Sequence, residues 1–277
     1  MPSSPPSVAQ KRAAFRALHA SGCFVVPNPW DAGSARYLES AGFKALATTS
    51  SGFAWSHGLA DNHVSRDAVL AHLREIVAAT NLPVNADFES GFGADADGVA
   101  QSVGLAVETG IAGLSIEDST GNDDSPLFAL HVAVERIKAA RSAIDTRGGD
   151  TLLIGRAENF VVGMPDLDDA IARLKAYADA GADCLYAPGL NTREQIEAVV
   201  AAVAPKPVNV LVGSVSPFTV QELAQLGVRR VSVGGALARA AWGGFMRAVE
   251  TLAEGRFDGF LNAAPGNQLN DLFRKPD

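Results

Sequence analysis

Three shortages narrow the field before any motif is read. The chain has only two cysteines in 277 residues, Cys23 and Cys184. Each opens an apolar run, which favours core packing over a disulfide or a catalytic thiol. No apolar run approaches the roughly 18 residues that a membrane-spanning helix needs. The start, M-P-S-S-P-P-S, carries no apolar stretch of the secretory kind, so a soluble cytoplasmic protein is expected. Positive charge is also scarce: 23 Lys and Arg stand against 31 Asp and Glu, for a net charge of -8. That balance argues against nucleic acid or an anionic membrane as the main partner, while leaving room for a small anionic substrate if cations gather in one pocket.

What the chain does contain is a repeated unit. Apolar runs of strand length begin at Cys23, Lys44, Pro83, Gly113, Leu152, Cys184, Pro207 and Arg230. Between them lie helical patterns over 31–40, 65–80, 95–109, 130–146, 166–180, 192–204, 219–226 and 236–254, after a first helix over 8–20 with Ala14, Phe15 and Leu18 on one face. Four helix-to-strand junctions place a glycine (Gly42, Gly110, Gly181, Gly227) where a helix C′ residue needs positive φ. Eight βα units in a chain of this length predict a single domain over 1–277, an α/β (β/α)8 TIM barrel, with a disordered start over 1–7 and a C-terminal helical extension over 256–277. Its functional end is then the C-terminal ends of the strands.

Those ends are acidic on adjacent strands. The run P-V-N-A-D-F-E-S-G-F-G from Pro83 ends in Asp87 and Glu89, two residues apart and so on one face of a strand. The next strand ends in Glu117, and the strand after that brings Arg156. Three carboxylates converging at strand ends lose hydration and repel one another unless a hard cation sits among them, which points to Mg²⁺, with Mn²⁺ as a substitute. Arg156 has the planar fork that grips a carboxylate, and the loop around Ser51 and Gly52 offers hydroxyl and N–H groups for an anion.

Several segments together resemble the isocitrate lyase / phosphoenolpyruvate mutase superfamily. They are N-P-W-D-A-G-S-A-R-Y-L-E-S-A-G-F from Asn28, T-S-S-G-F-A from Thr49, H-G-L-A-D from His57, N-A-D-F-E-S-G-F-G from Asn85, S-I-E-D from Ser115 and G-R-A-E-N from Gly155. The resemblance implies a Mg²⁺-dependent lyase that acts on a small 2-oxo carboxylate through a pyruvate-like enolate. It implies Asp87 as direct metal ligand, with Glu89 and Glu117 holding metal-bound waters; the family more often has Asp where Glu89 stands. It also implies Ser51, Gly52 and Phe53 as the carboxylate-binding segment, completed by Arg156, and Asp61 near the reacting groups. Asn209, on strand seven, is expected to reach the substrate.

One segment departs from the family. Lyases that cleave isocitrate or methylisocitrate carry a Lys/Arg-Cys-Gly-His segment after strand four, and here Ser119–Phe128 contains no Cys, Lys or His. A 2-hydroxy tricarboxylate needs a base and an acid, neither of which this loop supplies, so an oxaloacetate-like 2-oxo acid is the expected substrate. C–P bond chemistry on phosphonopyruvate and methylisocitrate cleavage are the alternatives. A further alternative is a phosphate-binding barrel, because Gly213-Ser214 and Gly234-Gly235 resemble a phosphate corner. Gly243-Gly244 within the last barrel helix, and the apolar residues beyond it, point to a homo-oligomer; the resemblance implies a tetramer in which this helix packs on a neighbouring subunit.

Overall fold

The computed structural model describes residues 5–274. Its strands are β1 (Phe24–Val26), β2 (Leu46–Ala47), β3 (Val84–Asp87), β4 (Gly113–Glu117), β5 (Leu152–Arg156), β6 (Cys184–Tyr186), β7 (Val208–Leu211) and β8 (Arg230–Ser232). All eight are parallel, in the order β1-β8-β7-β6-β5-β4-β3-β2. At the remaining seam the Ala47 N–H donates to the Pro27 carbonyl at 3.0 Å, so the sheet is a nearly closed (β/α)8 barrel.

The helices are α1 (Val8–Ala20), α2 (Ala32–Ser40), α3 (Ser50–Ser56), α4 (Arg66–Ala79), α5 (Ala96–Glu108), α6 (Leu130–Asp145), α7 (Leu167–Asp179), α8 (Arg193–Val203), α9 (Val220–Gln225), α10 (Ala236–Ala253) and α11 (Gly266–Phe273). Side chains of Asp31, Ser65, Asp95, Asp166, Thr192 and Thr219 accept the N3 amide at six of the helix starts, which is why the sequence marks them so well. The four junction glycines all have positive φ, from 88° to 104°.

Strand pleating sorts the core. Ala86, Leu114, Ile116, Leu153, Leu185, Val208, Val210 and Val231 join the large cluster beneath the helices. Val26, Ala47, Leu152, Ile154, Cys184 and Tyr186 form a second cluster inside the barrel with Phe15 of α1. Cys184 is thus an interior packing residue, and both cysteines are free. Phe15 closes the N-terminal mouth: it is fully buried, and a Cβ on Gly113 would lie 2.7 Å from its ring. Cations lock α1 there, with Lys11 Nζ donating to the Thr80 carbonyl (2.6 Å) and Arg12 to the carbonyls of Ile111 and Val107 (both 2.9 Å).

The structure corrects several expectations. Ala14 is exposed, and Lys11, Arg12, Phe15 and His19 are the buried face of α1. Residues 1–4 of the expected disordered start lie outside the described residues, but Ser7 is an ordered N-cap in a capping box with Gln10. The segment after β2, read as a loop, is a seven-residue helix. Helix α10 runs unbroken through Gly243-Gly244. Beyond it a 3-10 turn and α11 follow, and Arg36 of α2 stacks on Phe273 of α11 at 5.4 Å. Among the described residues no helix is long and apolar enough to cross a membrane.

Candidate active site

Glu89, expected on the same strand face as Asp87, instead lies past the end of β3 in a turn, whereas the strand ends that carry Asp87 and Glu117 do meet, around Arg156. Its Nη1 lies 3.2 Å from Asp87 Oδ1 and 3.1 Å from Glu117 Oε2, and its Nε donates to Glu158. Its guanidinium also stacks 5.1 Å from the Tyr186 ring. Asp87 is fixed twice more: its Oδ2 accepts the Ser50 amide (3.0 Å), and its own amide donates to Thr48 Oγ1 (2.9 Å). Glu89 takes a left-handed φ of 46°, a conformation that is costly for a residue with a side chain, and its carbonyl accepts the Glu117 amide at 3.0 Å. The turn after β3 is thereby tied to β4.

Acid outweighs base here. Burial, then the charges of Asp87 and Asp61, push the Glu89 carboxyl up to about 8. Burial also raises Glu117 well above the usual carboxylate range, with Arg156 pulling the other way. Asp61 belongs to an exposed residue at the rim, but its carboxyl faces the cavity and is raised by desolvation and then by Asp87.

Two connected cavities share Ser50, Asp61, Arg156 and Val161. The outer one, about 520 Å³, is roofed by Ser119–Pro126. That segment is a short antiparallel tongue, paired at Ser119 and Leu127, with the Thr120 amide donating to the Pro126 carbonyl at 2.9 Å. The inner chamber, about 180 Å³, runs down into the barrel past Ser51, Asp87 and Tyr186 to Arg230.

Other expected site residues stand further back. Gly52 and Phe53 line neither cavity. The Gly52 amide donates to Thr49 Oγ1 (3.3 Å) and the Phe53 amide to the Thr49 carbonyl (3.1 Å), while the Phe53 ring stacks on His72 at 3.8 Å. Gly52 has a packing reason to be glycine, because a Cβ would sit 2.6 Å from the Thr49 methyl. Asn209 is fully buried inside the barrel and donates to Ser232 Oγ (2.9 Å), one residue short of the chamber wall. The corner suggested for phosphate is crowded: a Cβ on Gly235 would lie 2.8 Å from Ser51 Oγ and 3.1 Å from Trp55.

Asp118 carries more of the site's framework than its place beside Glu117 suggests. It points away from the cavity, where its Oδ1 accepts the Glu158 amide (2.8 Å) and its Oδ2 accepts Tyr177 OH (2.5 Å) and Arg173 Nη1 (3.1 Å). Arg173 also holds the Phe128 carbonyl at the base of the tongue (2.9 Å). The side chains that bind Asp118 come from α7 and the amide from just past β5, so no local pattern in the sequence announces the network. Asn28 is a second hidden fastener: its amide donates to Thr48 O (2.9 Å) while its Oδ1 accepts the amides of Val233 and Gly234 (3.0 and 2.9 Å), spanning the ends of β8, β1 and β2.

Among the described residues no three His, Cys, Asp or Glu side chains form a ready-made metal cage. The donor set nevertheless suits a hard cation: all oxygen, with Asp87 and Glu117 sharing one guanidinium nitrogen and the half-buried Glu89 lacking an ion-pair partner among the described residues.

Comparison with known proteins agrees with this geometry. The family model described as phosphoenolpyruvate phosphomutase matches residues 15–253. A solved structure from Burkholderia cenocepacia J2315, whose description as a lyase/mutase is itself provisional, is 51% identical over 98% of both chains with a TM-score of 0.94. An oxaloacetate decarboxylase of Bradyrhizobium sp. (strain ORS 278) is 32% identical over 74% of this chain and 71% of its own. A 2-methylisocitrate lyase of Escherichia coli (strain K12) is 34% identical over 56% of this chain and 54% of its own. With barrel, strand-end carboxylates and Arg156 in place, the chain belongs to the phosphoenolpyruvate phosphomutase family and is an enzyme of the isocitrate lyase / PEP mutase superfamily.

Proposed function

We propose that this enzyme is a divalent-metal-dependent lyase that breaks a C–C bond of a small 2-oxo carboxylic acid of the oxaloacetate type, by decarboxylation or retro-aldol cleavage. The observation that carries this reading is the excess of buried acid around one guanidinium: Asp87, Glu117 and Glu158 all engage Arg156, and Glu89 has no cation of its own. Asp87, Glu89 and Glu117 would hold Mg²⁺, or Mn²⁺ in its place, partly through water. When bound, the metal supplies a Lewis acid at the 2-oxo oxygen, where enolate charge develops.

The chain's own residues do the rest. Among the described residues Arg156 Nη2 has no protein partner, so it is available to the substrate carboxylate, with the Ser51 hydroxyl lining the same chamber. The tongue excludes water while the C3–C4 bond breaks, leaving its electron pair on C3 as enolate and releasing CO₂. Asp61, where the two cavities join, is placed to deliver the proton that C3 then takes up. The tongue has no thiol, imidazole or amine, which disfavours substrates that need a stronger acid there. Gly52 and Phe53 shape the wall behind Ser51, and Asn209 orients Ser232.

The apolar face of α10 and the turn after it (Trp242, Phe245, Met246, Phe257, Phe260, Leu261) is exposed, and we place it at the interface of a homo-oligomer, most simply a tetramer. Light scattering that returns a monomer at micromolar concentration contradicts the assembly. The activity is tested by following pyruvate release from oxaloacetate with Mg²⁺, beside phosphonopyruvate and methylisocitrate. Oxaloacetate should turn over fastest and excess chelator should abolish it; methylisocitrate as the fastest substrate would overturn the assignment.

A further inference from the structure

The inner chamber ends on a cation that the reaction above does not use. Arg230 rises from β8 and is 2% exposed. Of its five N–H donors only one makes a hydrogen bond among the described residues, a long one of 3.4 Å from Nη1 to Asn85 Oδ1, and its buried Nε has no partner. Beneath it lies the Phe15 ring, 5.9 Å away, which is no counter-ion. The other buried arginines differ sharply. Arg156 meets three carboxylates, Arg173 meets two, Arg12 meets Asp150 and two carbonyls, and Arg136, whose Nε is likewise unpaired, bonds the carbonyls of Ser90 and Gly93 through Nη2 at 2.7 and 2.8 Å.

A buried cation without a partner is costly, because desolvation is repaid only by an opposite charge or several good hydrogen bonds. Asp87 also lines the chamber, but its oxygens are already held by the Ser50 amide and Arg156. The chamber, about 180 Å³ in all, is also lined by Asp61 and Arg156 and by neutral groups that include Ser115, Ser232 and Tyr186.

We propose that Arg230 is a second anion site: it holds a small carboxylate group at the inner end of the chamber, on its own guanidinium rather than on that of Arg156, which lines the same chamber. The carboxylate belongs either to a free small acid or to the far end of a dicarboxylate substrate that reaches down the barrel. The inference stands without the reaction assigned above, because it needs only an anion.

The test starts with wild-type crystals soaked in bromide, which reports anion sites by anomalous scattering. A bromide within hydrogen-bond reach of the Arg230 guanidinium is expected. Bromide beside Arg156 alone would support the carboxylate pocket of the proposed reaction and overturn this second site. In chloride-free buffer, formate at tenfold its Kd for Arg230 should raise the Tm of the wild type by about 3 °C more than that of Arg230→Met, which keeps only the Arg156 pocket. An equal shift in both proteins, with no bromide at Arg230, overturns the proposal. Malonate distinguishes the sources. If the group is one end of a dicarboxylate, the wild type binds malonate at least about tenfold more tightly than formate and Arg230→Met loses that margin; if it is a free acid, the wild type shows no margin. Should Arg230→Met fail to fold, the wild-type bromide result still decides.

Discussion

The wall built by β3, β4 and β5 and the floor supplied by β7 and β8 are both buried and polar, yet they are finished differently. On the wall nearly every group is engaged: Arg156 binds three carboxylates, Asp87 takes two further hydrogen bonds, and Asp118 clamps the backbone behind them. On the floor Arg230 Nε and Asn209 Oδ1 are left without partners. A saturated network fixes geometry at the cost of adaptability, whereas open valences in a closed space mark where something from outside completes the structure. Among the described residues the wall is thus the saturated side of the barrel's interior and the floor the unsaturated one.

The largest expected effect breaks the wall. Arg156→Met leaves Asp87, Glu117 and Glu158 crowded without their shared cation and removes the substrate clamp. kcat/KM for the 2-oxo acid should fall by at least about 10³-fold, as steady-state kinetics will show. An activity within tenfold of wild type would mean that the arginine is structural.

Next comes the clamp behind it. Asp118→Ala leaves Arg173 and Tyr177 without their buried acceptor and frees the Glu158 amide, at a cost of about 3 kcal/mol in urea unfolding. Amide exchange across Ser119–Phe128 should also quicken, because Arg173 holds the Phe128 carbonyl. If exchange there is unchanged while stability drops, the clamp serves the fold alone.

A smaller effect separates histidine burial from the acid cluster. His72, stacked on Phe53, has its pKa lowered to about 4, chiefly by burial. The unfolded chain binds this proton near 6.5 and the folded chain near 4, so stability is full above about pH 6.5 and is lost as pH falls between the two. The loss should reach about 3 kcal/mol at pH 4. His72→Phe, which keeps the stack, should flatten that part of the pH profile in urea titrations; an identical profile would assign the acid loss to the carboxylates.

The smallest concerns the tongue. Asp123 lines the outer cavity and Asp124 neighbours it, both exposed. Replacing both with Asn should lower KM for a dianionic substrate about twofold to fivefold with kcat nearly unchanged, as expected when a weak, uniform repulsion is removed. A change confined to kcat would instead give these residues a part in the chemistry.

The sequence made the frame readable because its signals are local. Apolar runs placed all eight strands, junction glycines and capping side chains placed the helix ends within a residue or two, and the spacing of Asp87, Glu89, Glu117 and Arg156 along successive strand ends located the wall. What it hid depends on contacts across the barrel. Arg230 opens an apolar run beside the half-buried Arg229, and only the pleat decides which of the two is fully inside. Asp118 reads as a companion of Glu117, although consecutive strand residues face opposite ways and the side chains that bind it lie on α7. The seven residues of α3 were too short, and too rich in serine and glycine, to read as helix.

The stopper formed by Phe15 and the cations of α1 also governs traffic. With the N-terminal mouth shut, a molecule that enters the barrel has one exit, past Asp61 and under the tongue. Two fragments made in series along that corridor must leave in order, the outer before the inner. In a decarboxylation whose departing carboxylate sits at Arg230, CO₂ is the inner fragment and leaves after the 2-oxo acid product. The product that lingers then competes directly with incoming substrate, whereas the early one does not.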